Sequence, residues 1–274
     1  LDGKRQNLVK NEGDEIPEGV EAGMYALSHV KEAMSVYDSG VVLHAHGNHC
    51  LYNLSRDQLA SKLGSSFVQE PCGEKVGYSS HVLEHVRFIF LDSYDVCKMR
   101  PQSSSKYQAA HQTLQENNPN YPEAENSPED LDGVSRRFVA FNGGIDQLQL
   151  EWLRNELELA RSRQEVAVLL SHQPIHPLST SPTCLMWNFE AVLELLREFS
   201  DVVALSLAGH AHSGGYNRDC TSGIHFRVIE ASLETPSPHN TFAFMDVLED
   251  YIRIRGYGNC LNAEYELNHL GTRK

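Results

Sequence analysis

The sequence contains no internal repeat and no apolar run that approaches the roughly 20 residues needed to span a bilayer. We therefore expect a protein that does not cross a membrane. Its 274 residues, of which 41% are hydrophobic, suffice for one large α/β domain with a sizeable core.

Closely spaced cysteine pairs are also missing. The six cysteines, at positions 50, 72, 97, 184, 220 and 260, include no CxxC pair and no spacing typical of a zinc knuckle or a disulfide framework. A chain of this size folds without such crosslinks. We expect free thiols, a reducing compartment and a cytoplasmic location. No Met precedes Leu1, which leaves an upstream targeting peptide as an alternative.

Basic residues are scarce. Lys and Arg number 23 against 37 Asp and Glu, which gives a formal net charge of −14. Proteins that bind nucleic-acid backbones need a basic surface, so the charge argues against a nucleic-acid partner. Small phosphate anions remain suitable ligands, because bound cations would invert the local field. We expect a monomer that acts on small molecules.

What the sequence does contain is three polar clusters, each after an apolar run typical of a buried strand. The runs are 40–43, 166–170 and 202–207, and the clusters are Gly47-Asn48-His49, Ser171-His172 and Gly209-His210-Ala211-His212. Loops at strand ends commonly carry functional residues. Imidazole nitrogens and amide oxygens are suitable ligands for divalent first-row metals. The clusters therefore predict a two-metal hydrolytic site.

The alternative for any one histidine is a structural or surface role, because the chain contains 14 of them. His49, His172, His210 and His212 differ from the others in their neighbours. Gly47 and Gly209 are expected to provide backbone shapes that a β-carbon would forbid. The same pattern of a strand followed by polar residues also occurs three times.

The order of these clusters resembles that of the calcineurin-like metallophosphoesterase superfamily, and within it the manganese-dependent ADP-ribose/CDP-alcohol diphosphatase family. The similar segments run in the family's order along almost the whole chain: 47–56, 91–95, 118–120, 126–128, 136–139, 141–144, 185–188 and 209–216. Cys50 stands where many relatives carry an acidic residue and resembles the plant members in particular.

The resemblance implies a four-layer αββα sandwich and a role for each residue of the clusters. Asn48, His172 and His210 would bind one metal ion, and His212 would bind the other. His49 would lie beside the phosphate, where it would stabilise developing charge or protonate the leaving oxygen. The implied reaction is hydrolysis of a diphosphate bond, which releases AMP and ribose 5-phosphate from ADP-ribose, or CMP and a phospho-alcohol from a CDP-alcohol.

The implied cofactor is Mn²⁺, two ions per complete site, with Mg²⁺, Fe or Zn as alternatives. Members of the family begin with an Asp-x-His or Asp-x-Gln strand and a Gly-Asp-x-x-Asp-Gly motif, whose first Asp bridges both metals. This chain opens with Leu1-Asp2-Gly3, which resembles the tail of the second motif. Asp2 matches its second Asp, which is not the bridging ligand. We therefore expect a single domain without its first strands and N-terminal metal motifs, in which the second metal binds weakly.

Apolar spacing predicts the remaining elements. Helices are expected at 22–37, 55–63, 146–160 and 189–199, with Ser55 and Gln58 forming a capping box and Asp146 capping the third helix. A strand is expected at 86–91, and antiparallel strands at 224–229, 241–247 and 251–254. The polar segment 101–132 is expected to be an insertion packed near the site.

Two segments are candidates for binding the rest of the substrate. Asn142 and Gly143 combine an amide side chain with a bare backbone N–H, which suits a phosphate or ribose, although Asn-Gly is equally typical of a turn. Cys184 and Trp187 flank an apolar face that suits a nucleotide base. Core packing is the favoured alternative for these two, because large apolar residues are usually buried.

Other classes of protein remain open from the sequence. One is an inactive or weak nucleotide-binding or metal-binding paralogue, truncated gene product or splice fragment. Another is a mononuclear zinc hydrolase built on His172, His210 and His212, and a third is a cysteine hydrolase at Cys50. Sequencing the transcript upstream of Leu1 and counting metal ions per chain would distinguish them.

We predict that the 274-residue chain hydrolyses ADP-ribose with Mn²⁺ weakly or not at all. Neutral ligands without a bridging carboxylate leave the charge of a metal pair uncompensated, and the affinity falls most for the ion whose remaining ligand is His212. The measurement is Mn²⁺-dependent release of AMP. Turnover at the rate of full-length relatives would contradict the prediction.

Overall fold

The computed structural model of the protein describes residues 19–64, 67–236 and 239–267. The opening Leu1-Asp2-Gly3 lies outside these residues. The helices are α1 (Gly19–Met34), α2 (Asn48–Asn53), α3 (Arg56–Leu63), α4 (Ser105–Asn117), α5 (Gln147–Ser162) and α6 (Phe189–Glu198). Short 3-10 helices occupy Gly133–Arg137, Pro182–Cys184 and Ser232–Glu234.

In the described residues the strands form one large sheet, one smaller sheet and two short antiparallel pairs. They are β1 (Val68–Gln69), β2 (Lys75–Val76), β3 (Ser79–Leu83), β4 (Val86–Phe90), β5 (Val96–Cys97), β6 (Gly143–Gly144), β7 (Val166–Ser171), β8 (Val203–Ala208), β9 (Gly215–Arg218), β10 (His225–Val228), β11 (Phe242–Val247), β12 (Tyr251–Tyr257) and β13 (Ala263–Glu266). The large sheet has the order β3-β4-β7-β8-β10-β9, and β11-β12-β13 form the small one.

The centre of the large sheet is parallel. Strands β4, β7, β8 and β10 pair in parallel, while β3 and β9 are antiparallel edge strands. The carboxyl ends of β7 and β8 consequently lie side by side at one edge of the sheet, where sites of layered α/β proteins usually form.

Alternate side chains of β7 enter two different cores. Ala167 and Leu169 pack in a core with residues of α5 and α6, whereas Val166 and Val168 pack with Ile252 and other residues of the small sheet. This alternation follows from the two-residue period of a strand. The expected α/β class with two packed sheets is confirmed.

The outer face of the small sheet is exposed. Phe242, Phe244 and Tyr257 each expose about half of their surface, and the rings of Phe242 and Tyr257 stack 4.8 Å apart.

In the part of the chain that the structure describes, no helix is both long and apolar enough to cross a membrane. All six cysteines are free thiols.

The strand predicted before Asn48 is wrong. Residues 40–47 form no β-ladder, and Val41 is 81% exposed. Val42 and His44 lie beside Ser79 and His81 of β3 around a small cavity. The β-branched residues of the run 40–43 favour extended backbone. A strand also needs a neighbouring strand that pairs with it through backbone hydrogen bonds in register.

The pairing expected for 224–229 needs correction as well. Strand β10 pairs antiparallel with β9 but parallel with β8, so it belongs to the large sheet rather than to a meander with β11. The meander of β11, β12 and β13 is antiparallel, as expected. The apolar pattern identifies a strand without identifying its partner, because both pairings bury the same side chains.

The predicted helices are all present. Ser55 caps α3, and its capping box with Gln58 is complete. Asp146 caps α5 by accepting a hydrogen bond from the Gln149 N–H, and α6 begins at Phe189. The first helix begins at Gly19 rather than at residue 22, and none of its residues is buried.

The polar segment 101–132 contains α4, which its composition did not indicate. Ser104 caps this helix, and Ala110 and Leu114, spaced by four residues, pack on Ala140 and Trp187. Helical spacing of these two apolar residues was therefore the missed signal. That the segment is an insertion stays a prediction.

We predict that Ser55→Ala lowers the free energy of unfolding by about 1 kcal/mol, because the N–H of Gln58 loses its capping acceptor. Urea denaturation measures the change. Ser61→Ala is the matched control, since Ser61 lies in the same helix and its hydroxyl donates only to the Gln58 carbonyl. Equal losses in both variants would contradict the prediction.

Candidate metal centre

The candidate site begins at the ends of the two central parallel strands. His172 follows β7, and Gly209 and His210 follow β8. The Gly209 N–H donates to the His172 carbonyl over 3.0 Å, which extends the strand pairing by one residue. The rings of His172 and His210 are consequently only 5.0 Å apart, measured between their centroids.

Asn48 reaches these histidines from the first residue of α2. Its Oδ1 atom lies 3.1 Å from His172 Nε2. Its Nδ2 atom donates to the hydroxyl of Tyr52, one helical turn further on, over 2.9 Å. Tyr52 therefore orients the amide so that the oxygen faces His172. Tyr52 is not among the residues predicted from the sequence, in which its only signal is the four-residue spacing from Asn48.

Gly47 has a packing role rather than the conformational one expected from the sequence. Its φ of −107° is open to any residue. A β-carbon at Gly47 would lie 2.6 Å from Cε1 of His172, so the imidazole rests directly on the glycine backbone. At Gly209 the nearest atom, His172 Nδ1, would be 3.7 Å away. Within the cluster Gly209-His210-Ala211-His212, the left-handed residue is His210, with a φ of 66°.

The two partly buried histidines are held neutral. Burial lowers the pKa of His172 to about 4, with further lowering by His49 and His212. Burial also lowers the pKa of His210 to about 3, with added effects of His172, His212 and His49. The mutual influence shows that the fold brings all four predicted histidines together. Neutral imidazole is the form that binds metal ions.

His49 and His212 lie on the exposed side of the cluster. Burial, followed by the charge of His212, lowers the pKa of His49, whose ring meets that of Tyr52 edge-on at 5.3 Å. His212 Nδ1 donates to Glu234 Oε1 over 2.7 Å. Both side chains are solvent-accessible, which suits residues that meet a substrate or a second ion.

The donor atoms fit a divalent metal ion. The 3.1 Å between Asn48 Oδ1 and His172 Nε2 is close to the ~3 Å that separates neighbouring ligands each about 2.1 Å from an octahedral ion. The mixed nitrogen and oxygen set suits Mn, Fe or Zn better than Ca. The cluster could therefore hold one ion with Asn48, His172 and His210, and His212 could contribute to a neighbouring ion.

A separate cluster of three carboxylates in the described residues is not a metal site. The carboxylates of Glu70, Asp95 and Asp146 lie within 4.8 Å of one another. The ammonium group of Lys106 already contacts all three, including Asp146 over 2.8 Å. A buried cation thus occupies the position that a metal ion would take.

Asn142 and Gly143 use their polar groups inside the protein. Asn142 is fully buried, and its Oδ1 accepts from His210 Nε2 over 2.8 Å. The Gly143 N–H donates to Gln173 Oε1 over 3.2 Å. The expected cradle for phosphate or ribose is therefore not formed by these groups, because their hydrogen-bonding capacity faces the protein.

Trp187 and Cys184 follow the core-packing alternative. Trp187 is 4% exposed and packs on Ala110 and Leu114 of α4. Cys184 is half-buried beside Ala208 and Ala211, and burial raises the pKa of its thiol. Cys184 therefore lies under the loop that carries His210 and His212, without presenting a reactive thiolate.

The sheet, its strand-end histidines and the Asn48 amide beside them form an arrangement typical of the dimetal metallophosphoesterase class. Comparison with known proteins sharpens this assignment. No protein-family model matches the chain. The structure resembles the crystal structure of a dimetal phosphatase from Danio rerio, with a TM-score of 0.82 and 33% identity over 90% of this chain and 78% of that one.

Curated relatives share one name, manganese-dependent ADP-ribose/CDP-alcohol diphosphatase. The protein from Oryza sativa subsp. japonica is 36% identical over 242 residues, which are 88% of this chain and 73% of the relative. The Arabidopsis thaliana protein is 34% identical over 83% of this chain and 71% of its own length. The Mus musculus protein is 37% identical over 79% and 65%. The chain belongs to the manganese-dependent ADP-ribose/CDP-alcohol diphosphatase family.

The family expected from the sequence is thus confirmed. The sequence identities do not distinguish a plant-like from an animal-like member. The rice and mouse proteins differ by one percentage point in identity to this chain, although the rice match covers more of it. That Cys50 marks a plant-like member stays a prediction.

We predict that Gly47→Ala weakens Mn²⁺ binding by roughly 10–100-fold, the range typical of changes that displace a metal ligand indirectly. The added β-carbon would collide with the His172 ring. Gly209→Ala is the matched control, because its β-carbon meets His172 only at ordinary contact distance. Titration calorimetry with Mn²⁺ measures both affinities, and equal affinities would contradict the prediction.

Proposed function

We propose that this chain carries the active site of a metal-dependent hydrolase that cleaves the diphosphate bond of ADP-ribose, CDP-alcohols and related nucleoside diphosphate conjugates. The observation that carries the proposal is the convergence of Asn48, His172 and His210, which offer a metal ion one amide oxygen and two neutral imidazoles. The names of the relatives supply the reaction and the Mn²⁺ dependence.

A metal pair bound here would polarise the phosphoryl oxygens and activate water for in-line attack. The protein's part is to hold the ligands in place. Asn48 is oriented by Tyr52, and His172 rests on Gly47. His210 is tied to the buried Asn142. The ligand geometry is consequently set by the fold before an ion or a substrate arrives.

His49 is the residue suited to proton transfer. It is exposed next to the ligand cluster, and its charge lowers the pKa of both His172 and His210. Imidazole can stabilise the charge that develops on phosphate or donate a proton to the leaving oxygen near neutral pH. We assign it this role, and His212 that of a ligand to the second ion.

The neutral ligand set explains how an acidic protein can act on an anion. The chain carries a net charge of −14, yet the four clustered side chains are imidazoles rather than carboxylates. Metal ions at this cluster would therefore create local positive charge that attracts a diphosphate.

The test is Mn²⁺-dependent release of AMP from ADP-ribose by the chain together with whatever residues its transcript encodes upstream of Leu1. CDP-choline and ADP-glucose, and Mg²⁺ in place of Mn²⁺, define substrate and metal preference. We expect His172→Gln and His210→Gln to lower kcat/KM by more than ~100-fold, because each removes a metal ligand.

His85→Gln is the matched control for these variants. His85 precedes β4 at the opposite, amino-terminal end of the parallel strands, so its replacement should leave kcat/KM unchanged. His49→Gln should lower kcat by roughly 100-fold or more while Mn²⁺ still binds. Metal binding without any release of AMP or CMP would overturn the proposed function in favour of a noncatalytic metal-binding or nucleotide-binding protein.

A further inference from the structure

Asn142 is the most constrained polar side chain next to the metal ligands. It is 0% exposed and lies between the 3-10 helix Gly133–Arg137 and β6. Its Nδ2 atom donates to the carbonyl of Arg137 over 2.9 Å and to that of Thr183 over 2.8 Å. Its Oδ1 atom lies 2.8 Å from His210 Nε2.

These contacts determine which way the amide faces. Main-chain carbonyls only accept hydrogen bonds, so the NH₂ group must point toward Arg137 and Thr183. The amide oxygen then faces His210, and it also only accepts. His210 Nε2 must therefore carry the hydrogen, which leaves Nδ1 of the neutral ring with the free lone pair.

We propose that Asn142 is a positioning residue that fixes His210 in its Nε2–H form and thereby reserves Nδ1 of this ring for the metal ion. The inference rests on the proposed role of His210 as a ligand. Metal-binding histidines usually donate their second ring N–H to a fixed acceptor, which sets both tautomer and ring orientation. Asn142 supplies such an acceptor from the protein interior.

The backbone conformation of His210 explains why its ring needs the hydrogen bond to Asn142. With a φ of 66°, His210 adopts the left-handed conformation that residues with a β-carbon rarely take. Such a conformation persists only when its surroundings hold it in place, and the bond to Asn142 joins the ring to a buried, doubly anchored amide. Asn142 thus determines where the ring lies as well as which nitrogen is free.

The neighbouring His212 is held through its other nitrogen. Its Nδ1 donates to Glu234, so the ring nitrogen left over is Nε2. The Glu234 side chain is 57% exposed, however, and water competes for this bond. The test therefore addresses Asn142, whose side chain is fully buried.

The experiment measures the tautomer of His210 by ¹⁵N NMR of the histidine side chains in the metal-free protein. The signals that disappear in His210→Gln are those of the His210 ring. We expect the wild-type ring in the Nε2–H form. Asn142→Leu should give a mixture of both tautomers, and Mn²⁺ affinity measured by calorimetry should fall by roughly 10–100-fold.

Asn188→Leu is the matched control. Asn188 is another side-chain amide that contacts the segment after Asn142, and its hydrogen bonds go to the main chain of Ile145. Its replacement should lower stability while leaving the His210 tautomer and the Mn²⁺ affinity as in the wild type. A merely structural role of Asn142 would make the two variants behave alike.

The proposal is overturned if the wild-type His210 carries its hydrogen on Nδ1, a result that needs no variant to fold. It is also overturned if Asn142→Leu keeps the wild-type tautomer. Absence of ADP-ribose hydrolysis in a protein with the Nε2–H form contradicts the proposed function alone, because the tautomer is measured without metal or substrate.

Discussion

The parallel pairing of β7 with β8 is the constraint on which the site depends. Ser171 pairs with Ala208, so the next residues, His172 and Gly209, meet at the same edge and share a hydrogen bond. A shift of one residue would turn every side chain of the strand to the opposite face and expose one of the two cores. The position of the histidines is consequently enforced by hydrophobic burial along the strands.

Asn48 lies outside this sheet. A buried ion pair joins the neighbouring helix α3 to the loop that follows β4. Arg56 of α3 contacts Asp92 over 3.2 Å and donates to the Tyr94 carbonyl over 2.6 Å. Both charged side chains are more than 90% buried. Removing one partner would leave an uncompensated buried charge, which destabilises far more than the intact pair stabilises. The helices that present Asn48 are thereby fixed to the loop that follows β4.

The sequence was sufficient for the elements whose signals are local. The capping box at Ser55, the cap at Asp146 and the apolar runs of β7 and β8 depend on neighbours within a few residues, and all occur as predicted. The failures concern relations between distant segments. Residues 40–47 lack the ladder that their composition favours, and β10 takes a parallel partner that no periodicity specifies.

The same division holds within the site. The residue types and the family resemblance singled out His49, His172, His210 and His212 as a group, and the fold brings them together. The position of Asn142 against His210 depends on two segments 68 residues apart, so its motif indicated a phosphate- or ribose-binding loop or a turn where the structure has a buried amide. Gly47 was noticed for its conformational freedom, whereas its contact with His172 explains why it has no side chain.

The separation of the proposed ligands along the chain would also link metal binding to folding. Asn48 and His172 are 124 residues apart, and an unfolded chain has no means of holding them within 3.1 Å of each other. An ion that binds this cluster therefore binds the native state selectively, and its free concentration adds to the stability of the whole domain by mass action. The metal content of its surroundings would then help to set how long such a protein survives, apart from how fast it works.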